Sequence, residues 1–285
     1  MKALNHLSIP EIKKKLENNE FPFSGITLYG STEFNFLQPS FYAGVAMHAG
    51  HLVRSELDNI MLATEKDRFR EEDPYTERFI KKFPIQIIGR DSRFEYDLNR
   101  EAGRAICDQK EKIWGIRIWK NELDREERNF SLIKHQEFHD LMDLVVEYLN
   151  RQNRYSVVFD MHSYCYGREG TISWYDDPRP EINIGTGAVN RTVFGRAIED
   201  FKHHLSNMRI DGYPVRIAEN EVFSGGYLAK RLSKAYPDRL LVLSLEYKKI
   251  FMDEVTGELY NCEFDRLTQC FNNVVHKIVE SGFFE

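Results

Sequence analysis

The sequence predicts an α/β fold, a mixed and largely parallel sheet flanked by helices. Three observations carry that expectation. Short apolar runs such as Val157-Val158-Phe159 and residues 240–245 (LLVLSL) have the character of strands buried on both faces of a sheet. Residues 130–149 place Leu132, Ile133, Phe138, Leu141, Val145 and Leu149 at helical spacing. Strand-like and helix-like segments alternate along the chain, the pattern of a sheet covered by helices. The 285 residues, 42% hydrophobic and 29% charged, suffice for one large α/β domain. No linker divides them, so a single domain over residues 1–285 is expected, with residues 1–40 its least defined part.

Taken in order, Ser8 and Pro10 open a short surface helix over residues 9–18. Residues 24–40 are aromatic and irregular, and no pattern places them. Residues 41–47 (FYAGVAM) read as a buried strand running straight into His48-Ala49-Gly50, where small residues let the backbone turn close to an ion or substrate. His51 lies beyond that turn and is expected to aim elsewhere. Residues 65–72 are a charge run of the kind that usually forms a solvated face. Glu72-Asp73-Pro74 then opens an amphipathic helix with Phe79, Ile80 and Phe83 on its apolar side. Asp73 either caps that helix or, like its competitor Glu72, faces a cleft. Residues 84–88 (PIQII) form another strand, and the region of Trp114 and Trp119 reads as loop and short strand.

The 130–149 helix feeds the strand at 157–159, as a crossover helix should. That strand is expected to end where Asp160-x-His162-Ser163 begins. Ligands of open α/β sheets gather beyond the carboxyl ends of the strands. His162 is therefore placed to project a ring nitrogen into a cleft, with Asp160 on the same side of the extended chain to orient it. Downstream come a strand at 182–184, a helix around 193–205, a strand at 213–217 and the turn Phe223-Ser224-Gly225-Gly226-Tyr227. A helix to about Lys234 follows, then the 240–245 strand ending on Glu246 and a closing helix at 262–279.

His48, His162 and Glu246 share one layout, a functional side chain at the end of a buried strand. Two imidazoles and a carboxylate form a common catalytic zinc shell with one open position. A further carboxylate outside the shell then serves as general base. Counting acids, Glu72 or Asp73 completes the ligands and Glu246 is the base; the competing role for Glu246 is a structural pair with Lys248 or an arginine. His135 and His139 stand four apart on one helix face, but Glu137 falls at the wrong place between them for a zinc-protease helix. They are expected at the surface, as are His203 and His204.

The bulk numbers narrow the partners. A net charge of −6 with interleaved acids and bases lacks the clustered Lys and Arg of a nucleic-acid footprint. No run approaches a membrane span and the N-terminus lacks a signal-peptide core, so a cytoplasmic location is the default expectation. Cys107, Cys165, Cys262 and Cys270 show no CxxC spacing and are expected as reduced thiols.

Four segments together resemble the motifs of the N-formylglutamate amidohydrolase family: HAG (His48 to Gly50), SRFEYDLNR (Ser92 to Arg100), FDMHS (Phe159 to Ser163) and LEYKKIFMDE (Leu245 to Glu254). That family is similar in fold to the zinc carboxypeptidases, a phosphorylase/hydrolase-like architecture. The resemblance implies a hydrolase dependent on one divalent metal, Zn2+, that cleaves the amide of an N-acyl amino acid such as N-formylglutamate, or a short peptide. It implies His48 and His162 as metal ligands with Asp73, or Glu72 beside it, as the acidic one. Glu246 would activate water and then protonate the leaving amine. Asn99 and Arg100 would hold the substrate's α-carboxylate, and Arg93 would polarise the scissile carbonyl or grip a second carboxylate. Gly225 and Gly226 would let the backbone approach the substrate. Two departures stand out: Lys248-Lys249 follow Tyr247 where family members often carry Asn-Arg, and His51 stands where carboxypeptidases carry a ligand glutamate. A relative that keeps the shell but only binds is the alternative from another class.

Overall fold

The computed structural model describes residues 4–109, 111–167, 173–210 and 212–280. Its centre is a nine-stranded sheet. Across the sheet the strands run in the order His6–Leu7, Phe23–Thr27, Thr32–Phe36, Ile85–Gly89, Tyr42–Ala46, Ser156–Tyr164, Leu240–Lys248, Ile182–Gly185 and Ile217–Glu219. Five of the eight neighbouring pairs are parallel, including every pair among the four strands from Ile85–Gly89 to Leu240–Lys248. The fold is α/β, with the mixed and mostly parallel sheet that the alternation of elements implies.

Helices cover both faces, and the strand period of two sorts the core between them. Val158, Val242 and Val45 belong to one apolar layer, under helices Ile9–Glu17, Arg125–Gln152 and Tyr227–Ala235. Val157, Phe159, Met161, Leu241, Leu243 and Leu245 belong to the other, under helices Arg191–Leu205 and Asn261–Val279. Helix Arg125–Gln152 starts earlier than its apolar stripe because Asp124 caps it, accepting the Glu127 N–H at 2.8 Å.

The structure departs from the sequence reading in instructive places. The strand expected to stop at Phe159 continues to Tyr164, because all nine of its residues pair in register with Leu240–Lys248. Asp160 and His162 therefore lie within the strand, on the face of Val158. Residues 24–40 contain two strands, Phe23–Thr27 and Thr32–Phe36, the second burying Thr32, Phe34 and Phe36 in alternation. The charge run is itself a helix, Glu65–Glu71, capped by Thr64. The helix expected from Pro74 shrinks to Thr76–Phe79, with Tyr75 before it in the left-handed region at φ 70°. The strand expected at 213–217 divides into a small hairpin at Tyr213–Pro214 and the edge strand Ile217–Glu219.

His135 and His139 are buried rather than at the surface. The loop before Arg104 and helix Tyr227–Ala235 cover them: His135 Nε2 bonds the Arg100 carbonyl at 2.9 Å, and the His139 ring stands edge-on to Tyr227. Burial pushes His139 down to about 3 from its ordinary 6.5, with His135 and Arg231 adding to the shift. Between those values the unfolded chain binds a proton that the folded chain does not, so stability falls as pH drops from about 6.5 toward 3. In His139→Leu, urea unfolding at pH 7 and pH 4 should show that loss reduced by about 1–3 kcal/mol. An unaltered pH slope would contradict the assignment.

Candidate active site

The site lies at the carboxyl ends of the three central parallel strands. In the register of the last two, Val158 faces Val242, Asp160 faces Ser244 and His162 faces Glu246. Each strand thus turns from apolar to polar along a single face. The third strand, Tyr42–Ala46, pairs Val45 with Asp160 and then delivers His48 beside His162, ring centroids 5.1 Å apart. Asp73 reaches the same point from the loop after helix Glu65–Glu71. Its N–H donates to the His48 carbonyl at 2.9 Å, and its own carbonyl accepts from Thr76 Oγ1 at 2.6 Å. Its side chain therefore caps no helix and faces the histidines.

One atom from each of His48, Asp73 and His162 lies within 4.8 Å of the other two, and all three residues are buried. His162 Nδ1 is 2.9 Å from Asp73 Oδ2, and His48 Nδ1 is 3.4 Å from the same oxygen. The far side of each ring meets another carboxylate. His48 Nε2 donates to Asp97 Oδ1 at 2.8 Å, and His162 Nε2 lies 3.0 Å from Asp160 Oδ1. Asp160 is held in turn by the Ser244 hydroxyl at 3.1 Å. Both Nδ1 atoms consequently point at Asp73 Oδ2, the His48–Asp97 hydrogen bond fixing one ring as carboxylates do around metal-bound histidines, and Asp160 standing close behind the other. His48 Nδ1 and Asp73 Oδ1 are buried without a hydrogen-bond partner. Two imidazole nitrogens and a carboxylate, partly orphaned and converging, fit a divalent cation such as zinc by donor type and number.

Of the two acidic candidates, the structure brings Asp73 to the histidines. Glu72 turns away, its carboxylate bonded to His51 Nδ1 and to the Ser92 hydroxyl. His51, beyond the turn, is occupied by that contact.

The charges reinforce one another. Burial alone would raise the Asp73 carboxyl, but hydrogen bonds and attraction from His162 and His48 hold it well below the usual range. Asp97 is likewise held low against burial by Arg93 and His48. Burial lowers His162, yet Asp160, Asp73 and Glu246 outweigh it and raise the ring well above its ordinary value. Burial lifts Glu246 to about 7, Asp73 and Asp160 adding to the rise while His162 and Arg93 oppose it.

A cavity of about 400 Å³ opens over this cluster, lined by His48, Asp73, His162, Glu246, Arg93 and Asn99 among others. Arg93 donates to Asp97 Oδ2 at 2.9 Å and lies under the Trp114 ring at 4.8 Å. Arg100 is placed differently from its neighbour: it lies outside this cavity, with Nε 3.4 Å from Asp97 Oδ2. Asn99 lines the cavity, but its Oδ1 accepts the Leu228 N–H at 3.1 Å and so holds the start of helix Tyr227–Ala235. Gly225 and Gly226 both line the cavity; Gly225 has φ +102°, and a Cβ on Gly226 would lie 2.1 Å from Asn99 Nδ2. Sequence reasoning missed Asp97, Arg179 and Lys249. Asp97 stands in the same quoted motif as Asn99, yet its reach back to His48 crosses 49 residues and leaves no local trace.

The covered α/β sheet thus brings two histidines and several acids together at its central strand ends, beneath a cavity. The chain belongs to the N-formylglutamate amidohydrolase family, whose model matches residues 45–251. Among solved structures it is similar to an N-formylglutamate amidohydrolase from Ralstonia eutropha JMP134, at TM-score 0.70 and 17% identity over 88% of this chain and 97% of that one. It is also similar to a gene product of Agrobacterium tumefaciens, at TM-score 0.60 and 20% identity over 93% of this chain and 98% of that one. A putative carboxypeptidase A from Shewanella denitrificans OS-217 aligns at TM-score 0.39 and 13% identity over 95% of this chain and 68% of that one, too slight a likeness to argue from. No protein of curated function matches the chain. No helix of the described residues is long and apolar enough to cross a membrane.

The Asn99–Gly226 contact is testable without any ligand. Gly226→Ala should lower unfolding free energy by about 1–3 kcal/mol through overpacking. Adding Asn99→Ala should recover part of that loss in a double-mutant cycle. Strictly additive losses would show that the two groups do not touch.

Proposed function

We propose that the chain is a metal-dependent amidohydrolase that cleaves the amide of an N-acyl amino acid such as N-formylglutamate. The observation that carries this reading is the convergence of His48 Nδ1, His162 Nδ1 and the Asp73 carboxylate beneath the cavity, with Glu246 beside His162 in the sheet. Family membership supports the amide as substrate class.

His48, Asp73 and His162 would hold one divalent ion, zinc by donor set. A cation held there supplies Lewis acidity toward the scissile carbonyl and lowers the pKa of water. Glu246 takes the proton from the attacking water. It then passes that proton to the departing amine nitrogen as the C–N bond breaks, leaving the carboxylic acid of the acyl group and a free amino acid. Burial lifts the Glu246 carboxyl above the ordinary carboxylate range, the direction required of a group that must both take and return a proton. Arg93, on the cavity wall and tethered by Asp97, is placed to steady negative charge on the carbonyl oxygen. Asp97 and Asp160 keep the two imidazoles turned inward. Asn99 and the Gly225-Gly226 turn shape the opposite wall, and the cavity volume suits a small substrate.

Two outcomes follow. Glu246→Gln should lower kcat on N-formylglutamate by about 10²–10⁴-fold while zinc content and unfolding midpoint stay as in the wild type. Activity surviving that substitution would remove Glu246 from the chemistry. Asp97→Asn should weaken zinc binding about 10–100-fold in a chelator competition. Unchanged affinity would mean that Asp97 does not orient the His48 ring.

A further inference from the structure

Among the described residues the cavity wall carries the cationic side chains Arg93, Arg179 and Lys249, and they differ in how their charge is met. Arg93 is paired with Asp97 at 2.9 Å. Arg179 is gripped by Asp177 through both Nε and Nη2, the latter at 2.7 Å. Lys249 is 1% exposed, and its ammonium donates to the backbone carbonyls of Glu72, at 2.7 Å, and of Arg70. Among the described residues its ammonium is held by carbonyl oxygens and by no carboxylate. Carbonyl dipoles solvate an ammonium without cancelling its charge, and a buried charge lacking a counter-charge is costly.

Its neighbour makes the contrast plain. Lys248 points the other way, to Glu181 Oε1 at 3.0 Å and the Asp177 carbonyl at 3.1 Å. Lys248 thus ties the 174–181 segment to the catalytic strand, whereas Lys249 lines the cavity three residues after Glu246. The Lys249 N–H donates to the Tyr164 carbonyl at 3.0 Å, so its backbone is anchored two residues beyond His162. Of the groups read from sequence as the carboxylate clamp, Arg100 lies outside the cavity, while Asn99 lines it with Oδ1 accepting from the Leu228 N–H and offers only a neutral amide, not a cation, to an anion.

We propose that Lys249 is the specificity-determining cation of this site, the group that receives a carboxylate of the substrate. The proposal rests on the amidohydrolase reading for the nature of that substrate, but not for the presence of an anion subsite. Held by two carbonyls, the Lys249 ammonium has one N–H left for a carboxylate oxygen in the cavity that the residue lines. The same ammonium also braces the chain that leads into Asp73, so a purely structural role must be told apart from recognition.

The test compares N-formylglutamate with its α-amide and its side-chain amide on the full chain loaded with zinc, and measures glutarate binding by calorimetry. Wild type should prefer the diacid over at least one amide. In Lys249→Met that preference, as a ratio of kcat/KM values, should shrink by about thirtyfold, chiefly through KM, and glutarate binding should weaken similarly. Lys249→Arg, which keeps the charge, should keep much of the preference. Equal losses on diacid and amides, or glutarate binding unaltered in Lys249→Met, would overturn the proposal while leaving the hydrolase reading intact. Glutarate binding that depends on Lys249 in a chain that hydrolyses none of the three would sink the hydrolase reading and keep the subsite. Should Lys249→Met fail to fold, Lys249→Gln, whose amide N–H groups can keep the two carbonyl contacts without the charge, carries the same comparison with the same two outcomes.

Discussion

The site depends on one constraint, the parallel, in-register pairing of Ser156–Tyr164 with Leu240–Lys248. Because side chains alternate strictly, that register sets Asp160 beside Ser244 and His162 beside Glu246, all on the face that begins with Val158 and Val242. The valines lock the register by burying their side of the sheet, and the polar residues follow as a geometric consequence. A slip of one residue would bury His162 in the opposite apolar layer and expose Met161 to the cavity. The packing that stabilises the strand base therefore also positions the reactive end.

Around that pair the protein gathers four carboxyl groups. Asp73, Asp97, Asp160 and Glu246 stand in or beside the cavity, and burial opposes the ionisation of each carboxyl for which a shift is resolved. The Arg93 guanidinium and the hydrogen bonds of the two histidines answer part of that demand. His48 Nδ1 and Asp73 Oδ1 remain without hydrogen bonds in the buried floor. Polar atoms in that state are costly unless something completes them. A divalent cation would satisfy both at once and fits the neighbouring histidine as well.

Much of this was legible in the sequence, for reasons that particular residues make clear. The strands leading to His48 and Glu246 announce themselves because short apolar runs, bounded by turn residues, belong in a sheet covered on both faces. Asp160 was readable as the partner of His162, since two residues along a strand is a same-face relation. Less visible was whatever depends on distant chain meeting distant chain. Asp97 bonds His48 across the fold, and Glu72 loses its claim beside Asp73 only because His51 and Ser92 converge on it. Thr32, Phe34 and Phe36 did alternate as a strand should, but aromatic residues on both sides of the hairpin masked the period. His135 and His139 misled for the opposite reason: local spacing showed a polar face, and a loop and a helix from elsewhere cover it.

The most direct measurement of the central claim is anomalous diffraction at the zinc absorption edge from crystals grown with zinc. The account predicts one strong peak coordinated by His48 Nδ1, His162 Nδ1 and the Asp73 carboxylate, within reach of Glu246. A fully zinc-saturated crystal with no peak there, or with its ordered zinc held by other residues, would contradict it.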